Sequence, residues 1–165
     1  MKVLFDRGRG IDRNVLIILP TNCGKKFMLK PIKSIFETFV NPATSTFAWV
    51  GVEKVEVIFL NDFRWSAQLI PWHDMLLILE GESVHLPAPK THFVQDILLE
   101  KNTPIVATSS SEIQYFKNGV AVERETEMMR VRWKIFKFWS PLSENEQREV
   151  LPCQHCFARL ILTDN

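Results

Sequence analysis

The first clear pattern along the chain is Val15-Leu-Ile-Ile-Leu19, a continuous β-branched and aliphatic run stopped by Pro20. A run with no polar alternation reads as a strand buried on both faces. From Lys25 the period changes: Met28, Ile32, Ile35, Phe36 and Phe39 recur at helical spacing, with Asn41-Pro42 as the stop. Pro31 removes the amide that would bond back to Phe27, so a kink is expected there. Phe47 to Val50 reads as a short strand and Val55 to Leu60 as a better one, ending on Asn61-Asp62. Pro71 to Leu79 reads as a short helix ended by Gly81. Glu82 to Leu86 and Phe93 to Leu99 flank Pro87-Ala-Pro-Lys90 as a hairpin with a projecting tip. Pro104 to Ala107 is another buried strand, Glu125 to Arg132 a helix, and Trp133 to Phe138 a last strand. Met1 to Asn14, with Arg7-Gly-Arg-Gly10, reads as a loop lead-in. The tail from Ser143 opens on a short polar helix and ends in Cys153-Gln-His-Cys156. Buried strands alternating with helical segments predict a parallel α/β sheet.

Composition narrows this little. The 165 residues make one domain of ordinary size, 46% hydrophobic and 24% charged, which excludes a disordered or low-complexity chain. No apolar run approaches the roughly 20 residues that span a bilayer, and Met1 to Asp12 lacks the apolar core of a signal peptide. Three cysteines are an odd number, which argues against a disulfide framework and for a reducing compartment. A net charge of +1 provides no global field for nucleic acid, so any polyanion site must be local.

Chemistry concentrates at Leu19-Pro-Thr-Asn-Cys-Gly-Lys-Lys26. Against the phosphate-binding pattern G-x-x-x-x-G-K-[ST], Gly24 and Lys25 match, Leu19 stands at the first glycine and Lys26 at the hydroxyl. Amides at a helix N-terminus surround phosphate oxygens and the lysine neutralises their charge. The hydroxyl of the pattern holds magnesium, and an ammonium has no lone pair with which to do so. Later, Val55 to Leu60 delivers Asn61-Asp62, where a carboxylate at a strand's end can hold magnesium or polarise water. The strand at Ile105 ends on Thr108, Ser109 and Ser110, groups suited to sensing a γ-phosphate.

In this order the parts resemble the superfamily 3 helicase core of parvovirus-type replication initiator proteins, a branch of the AAA+ ATPases. Pro20-Thr-Asn-Cys-Gly-Lys25 resembles the family's Walker A and Val57-Ile-Phe-Leu-Asn-Asp62 its Walker B. Gly81 to Lys90 resembles the B-prime motif, Pro104 to Ser109 motif C, and Arg132-Trp-Lys-Ile-Phe136 the downstream arginine. The resemblance implies a P-loop NTPase (AAA+-like) fold, a parallel sheet of about five strands flanked by helices on both faces. Residues 1–140 would form the NTPase core and 141–165 a C-terminal extension of the same domain. ATP and Mg²⁺ would be held by Pro20, Thr21, Asn22, Cys23, Gly24, Lys25 and Lys26, with Asp62 on the metal and Asn61 beside it. Thr108, Ser109 and Ser110 would act as the sensor, and Arg132 would reach into a neighbouring subunit's nucleotide site. Lys90 and His92 on the hairpin would meet single-stranded DNA, Lys90 being equally readable as a solvated turn lysine. The family assembles rings, needs no membrane and works inside cells, in the nucleus of a eukaryotic host.

Four positions depart from the family pattern: Leu19, Lys26, Asn61 for one of the acidic pair, and Ser110 for asparagine. Two of them fall on the magnesium side, and losing ~3 kcal/mol of metal stabilisation slows hydrolysis roughly a hundredfold or more. Impaired hydrolysis is therefore expected. The family as a rule places a nuclease and an oligomerisation domain before this core, so the chain reads as an isolated one. The alternative is a catalytically inactive nucleotide-binding or protein-interaction module, a domesticated or relic viral gene. Cys153 and Cys156 have half the spacing of a zinc site but no second pair. Cys23 has no recognisable base, the four histidines are scattered, and the five tryptophans read as core and contact residues rather than base-stacking platforms.

Overall fold

The structure is a computed structural model that describes residues 1–20, 25–42, 47–89, 96–140, 143, 145–146 and 152–163. Its centre is a five-stranded parallel sheet of β1 (Asn14–Ile18), β2 (Thr38–Val40), β3 (Val57–Leu60), β6 (Ile105–Ser109) and β9 (Trp133–Lys137). The spatial order is β2-β3-β6-β1-β9. β1, β3 and β6 are buried throughout, as their unbroken apolar sequences require. Two antiparallel hairpins stand outside the sheet: β4 (Val84–Leu86) with β5 (Ile97–Leu99), and β7 (Phe116–Lys117) with β8 (Val120–Ala121).

Alternation along the strands creates two cores. Val15, Ile17, Leu19, Val57, Phe59 and Val106 face α1 (Lys2–Arg7), α2 (Lys25–Ile35) and α5 (Gln154–Leu162) through Leu4, Ile32, Phe157 and Ile161. Leu16, Ile18, Ile58, Leu60, Ile105 and Ala107 face α3 (Trp72–Glu80), α4 (Glu123–Arg130) and the β4–β5 hairpin. Helices thus pack on both faces of the sheet.

Four expectations change. The opening is helical, not a loop: Leu4 enters the core and Gly8 closes α1 with φ 72°. Gly8 is required there, since a Cβ would fall 1.7 Å from the Asn102 carbonyl oxygen. The helix from Lys25 ends at Ile35, and Phe39 belongs to β2, where β-branched neighbours favour a strand and its ring stacks on Trp49 at 5.6 Å. Phe47 to Val50 is a turn feeding a 3₁₀ turn at Val52–Lys54, because burying Trp49, whose indole donates to the Leu69 carbonyl at 2.9 Å, bends the chain inward. Cys153-Gln-His-Cys156 does not end the tail but begins α5. Ser143 and Glu146 exchange the reciprocal bonds of a capping box, as expected of a helix start at Ser143.

The amino ends of the strands are locked by three polar side chains. Arg9, fully buried, donates to the carbonyls of Ile78 (3.1 Å), Leu99 (3.0 Å) and Lys101 (3.2 Å), tying α3 to β5. Burial pushes its guanidinium down to about 10, with Glu82 opposing that shift. The Asn14 amide donates to the carbonyls of Gly10, Leu79 and Arg132. Arg132 bonds the Met128 carbonyl and pairs with Glu80, joining the ends of α3 and α4.

Candidate functional site

The chain leaves β1 towards β2 on one side and β6 towards β9 on the other, with α2 and α4 on opposite faces. The carboxyl ends of β1 and β6 therefore border the topological switch point, the crevice where ligands bind in open α/β sheets. The register brings the candidate residues level there. Ile17 pairs with Thr108 and Ile18 with Ser109, while Leu60 pairs with Ala107, so Asn61 and Asp62 follow beside Thr108 and Ser109. The Leu19 amide continues the ladder to the Ser109 carbonyl at 3.0 Å.

Thr108 is the hub. It is fully buried, and its hydroxyl accepts from the Asp62 amide (2.9 Å) and donates to the Asn61 side-chain oxygen (3.4 Å). Its carbonyl accepts from Phe63 at 2.7 Å. Asn41, at the end of β2, holds Asn61 from the other side: its amide donates to the Asn61 carbonyl (2.9 Å) and its oxygen accepts from the Asn61 amide (2.5 Å). Asp62 has φ 52°, a left-handed conformation that aspartate tolerates better than most residues. Its half-exposed carboxylate lies 3.7 Å from Arg64. The turn is thus fixed through backbone and amide bonds while the carboxylate stays at the surface.

Alternation gives each residue a face. Val106 and Phe59 face α2, so Thr108 and Asn61, two and two residues further on, stand on the α2 side. Pro20 follows β1, Thr21, Asn22, Cys23 and Gly24 lie outside the described residues, and Lys25 and Lys26 open α2. The strand before this stretch and the helix from Lys25 after it are therefore those expected. Asp62 does not follow a strand adjacent to β1, because β6 lies between. Ser109 and Ser110 line a cleft of about 400 Å³ on the opposite, α3 face, together with Phe63, Trp65, Glu112 and Phe116. Lys90 and His92 lie outside the described residues, although β4 and β5 form the hairpin base that was expected.

Arg132 stands apart from this group. It precedes Trp133, which pairs with Asn14 at the amino end of β1, a strand length of roughly 16 Å from the switch point. Its guanidinium is buried against Glu80 within the same chain. Two further cations at the carboxyl edge are Arg64 and Lys137, the latter opposite Ile18 and paired with Glu112. Sequence reasoning did not single these out, since neither lies in a motif; Lys137 was recoverable only as a residue near the end of the expected final strand, Trp133 to Phe138.

The aromatic residues near the cleft form a packed cluster, with Trp72 and Trp65 edge to face at 4.9 Å and Tyr115 at 4.7 and 5.4 Å from them. The indoles of Trp65 and Trp72 donate to the Ile70 carbonyl and to Glu125, and both rings are half-buried against the core rather than free stacking platforms. Trp139 is exposed. Among the described residues no group of three His, Cys, Asp or Glu could hold a metal ion, and no helix is long and apolar enough to cross a membrane. Among the described residues at this edge, the Asn61 oxygen is committed to Thr108, and in the sequence Lys26 stands where the phosphate-loop pattern has a metal-binding hydroxyl. Compared with known proteins, no family model and no curated protein matches the chain.

Proposed function

We propose that this chain is a nucleotide-binding module of the superfamily 3 helicase type, which binds ATP and hydrolyses it poorly. The observation that carries the reading is the switch point itself. The start of α2 at Lys25, the Thr108 strand end and the Asn61-Asp62 turn follow three neighbouring strands at the carboxyl edge of a parallel sheet. Such an edge is where phosphate-binding turns of α/β proteins work, because amides at the start of the next helix converge on the anion. Thr108 and Asn61 stand on the same sheet face as α2, so a γ-phosphate cradled at the start of α2 would extend towards them.

The weak hydrolysis follows from the residues on the metal side. Phosphoryl transfer depends on positioning and on neutralising charge, and one exposed carboxylate beside Arg64 supplies little of either. Arg132, engaged with Glu80, is not part of this reading. Ring assembly and contact with single-stranded DNA through the Lys90 hairpin belong to the helicase ancestry.

Calorimetric titration with ATP, with and without magnesium, tests the proposal. The expected result is one site per chain, weakened at least about tenfold by Lys25→Ala and changed less than that by removing magnesium. Equal binding by the parent and Lys25→Ala, with the fold intact by circular dichroism, refutes it.

A further inference from the structure

Cys153 and Cys156 form a dithiol at the start of α5, far in sequence from the sheet edge. Cys153 is the N-cap, and its sulfur accepts the Cys156 amide hydrogen at 3.3 Å. That bond folds the Cys153 side chain back over the first turn of α5. Both sulfurs are exposed, so a solute reaches them. The helix beneath is anchored: Phe157 and Ile161 are buried in the core that includes Leu4 and Ile32. No third ligand stands close enough among the described residues to complete a metal site.

We propose that Cys153 and Cys156 are a thiol–disulfide exchange site, with Cys153 as the attacking sulfur, Cys156 as the resolving sulfur, and a small-molecule disulfide such as oxidised glutathione as the co-reactant. The division of labour follows from the hydrogen bonds. Donation from the Cys156 thiol and amide stabilises the Cys153 thiolate and draws its pKa below the ordinary thiol value, while the same contact pushes Cys156 up. The Cys153 thiolate attacks one sulfur of the disulfide, forming a mixed disulfide and releasing one glutathione thiolate. Cys156 then loses its proton and attacks the Cys153 sulfur, which closes the Cys153–Cys156 bond and releases the second glutathione. The protein loses two hydrogens and the co-reactant gains them, so the exchange balances.

The test equilibrates the full chain with reduced and oxidised glutathione, blocks free thiols with N-ethylmaleimide and maps peptides by mass spectrometry. The Cys153–Cys156 peptide should appear unblocked, free of glutathione and lighter by two hydrogens, while Cys23 is followed on its own peptide. Cys156→Ser keeps a hydroxyl donor for Cys153 and should accumulate a stable mixed disulfide on it. Cys153→Ser should react at least about threefold more slowly at pH 7, since a thiol with a higher pKa supplies less thiolate. Stable glutathione adducts on the parent, or equal rates in the two variants, overturn the proposal. So does protection of both thiols by one equivalent of zinc, which would make the pair half of a metal site.

Discussion

Thr108→Val isolates the hub of the sheet edge, because valine keeps the shape and removes only the hydroxyl. Two bonds disappear: the one accepted from the Asp62 amide at 2.9 Å and the one donated to the Asn61 oxygen at 3.4 Å. The second is long and costs little. The first leaves a backbone donor unsatisfied beside a fully buried side chain, which costs about 1–3 kcal/mol. Thr108 also receives the Phe63 amide at its carbonyl, and that bond is untouched by the substitution. The expected loss is therefore ~2 kcal/mol, or about 4–8 °C in Tm for a chain of this size. Hydrogen exchange provides the specific readout. The Asp62 amide should exchange about tenfold faster or more, with the Phe63 amide still protected. Thr108→Ser should keep the Asp62 amide protected and lose only the buried methyl, ~1 kcal/mol. If Thr108→Val falls within about 0.5 kcal/mol of the parent and the Asp62 amide stays protected, the hydroxyl does not hold this turn and the hub assignment fails.

The other predictions address both ends of the sheet. Arg9→Met should cost ~2–4 kcal/mol in urea unfolding, because it orphans the carbonyls of Ile78 and Leu99. Arg9→Lys should rescue little of that, since one ammonium cannot reach three carbonyls set around a planar fork. Lys26→Thr should raise magnesium-dependent ATP turnover above the parent in a phosphate-release assay, by restoring an oxygen lone pair at the metal position. Leu19→Gly should cost ~3–5 kcal/mol by denaturant unfolding, because Leu19 is buried at 1% exposure and glycine also loosens the backbone.

Much of the fold was legible because buried parallel strands announce themselves as uninterrupted apolar runs. Val15 to Leu19, Val57 to Leu60 and Ile105 to Ala107 all appear as β1, β3 and β6. Gly81 closes α3 in a left-handed conformation, as its place after Leu79-Glu80 implied. Short, half-exposed elements were not legible. α1 carries one core leucine in six residues, too few to show a period, and β2 shares its apolar residues with the end of a helical pattern. At the site, the sequence marked Asn61, Asp62 and Thr108 but not Asn41, which supports them from β2 across a gap of 20 residues. A contact of that kind depends on strand order, and no local pattern encodes strand order. Arg132 illustrates the converse: its motif drew attention to it, whereas its pairing with Glu80 depends on where α3 ends.

The position of Leu19 shows what the carboxyl edge can and cannot recover. In the phosphate-loop pattern this position is a glycine, whose freedom lets the turn close around an anion. Here it is a core residue, packed with Val15, Ile17 and Phe59 beneath α2, and its amide is spent on the Ser109 carbonyl. The β1 ladder thus runs one residue further than a phosphate turn beginning at that position would allow. Any anion cradle must draw its amides from after Pro20, which itself has none, and hence from Thr21 to the first turn of α2. A shorter cradle favours binding through Lys25 and the helix terminus over the full enclosure that transition-state stabilisation requires. The core leucine at 19, the lysine at 26 and the hydrogen-bonded Asn61 therefore act in the same direction. On the proposed reading each removes a group needed for turnover, and Leu19 and Asn61 also hold the folded edge of the sheet, so restoring hydrolysis through Leu19→Gly trades directly against stability.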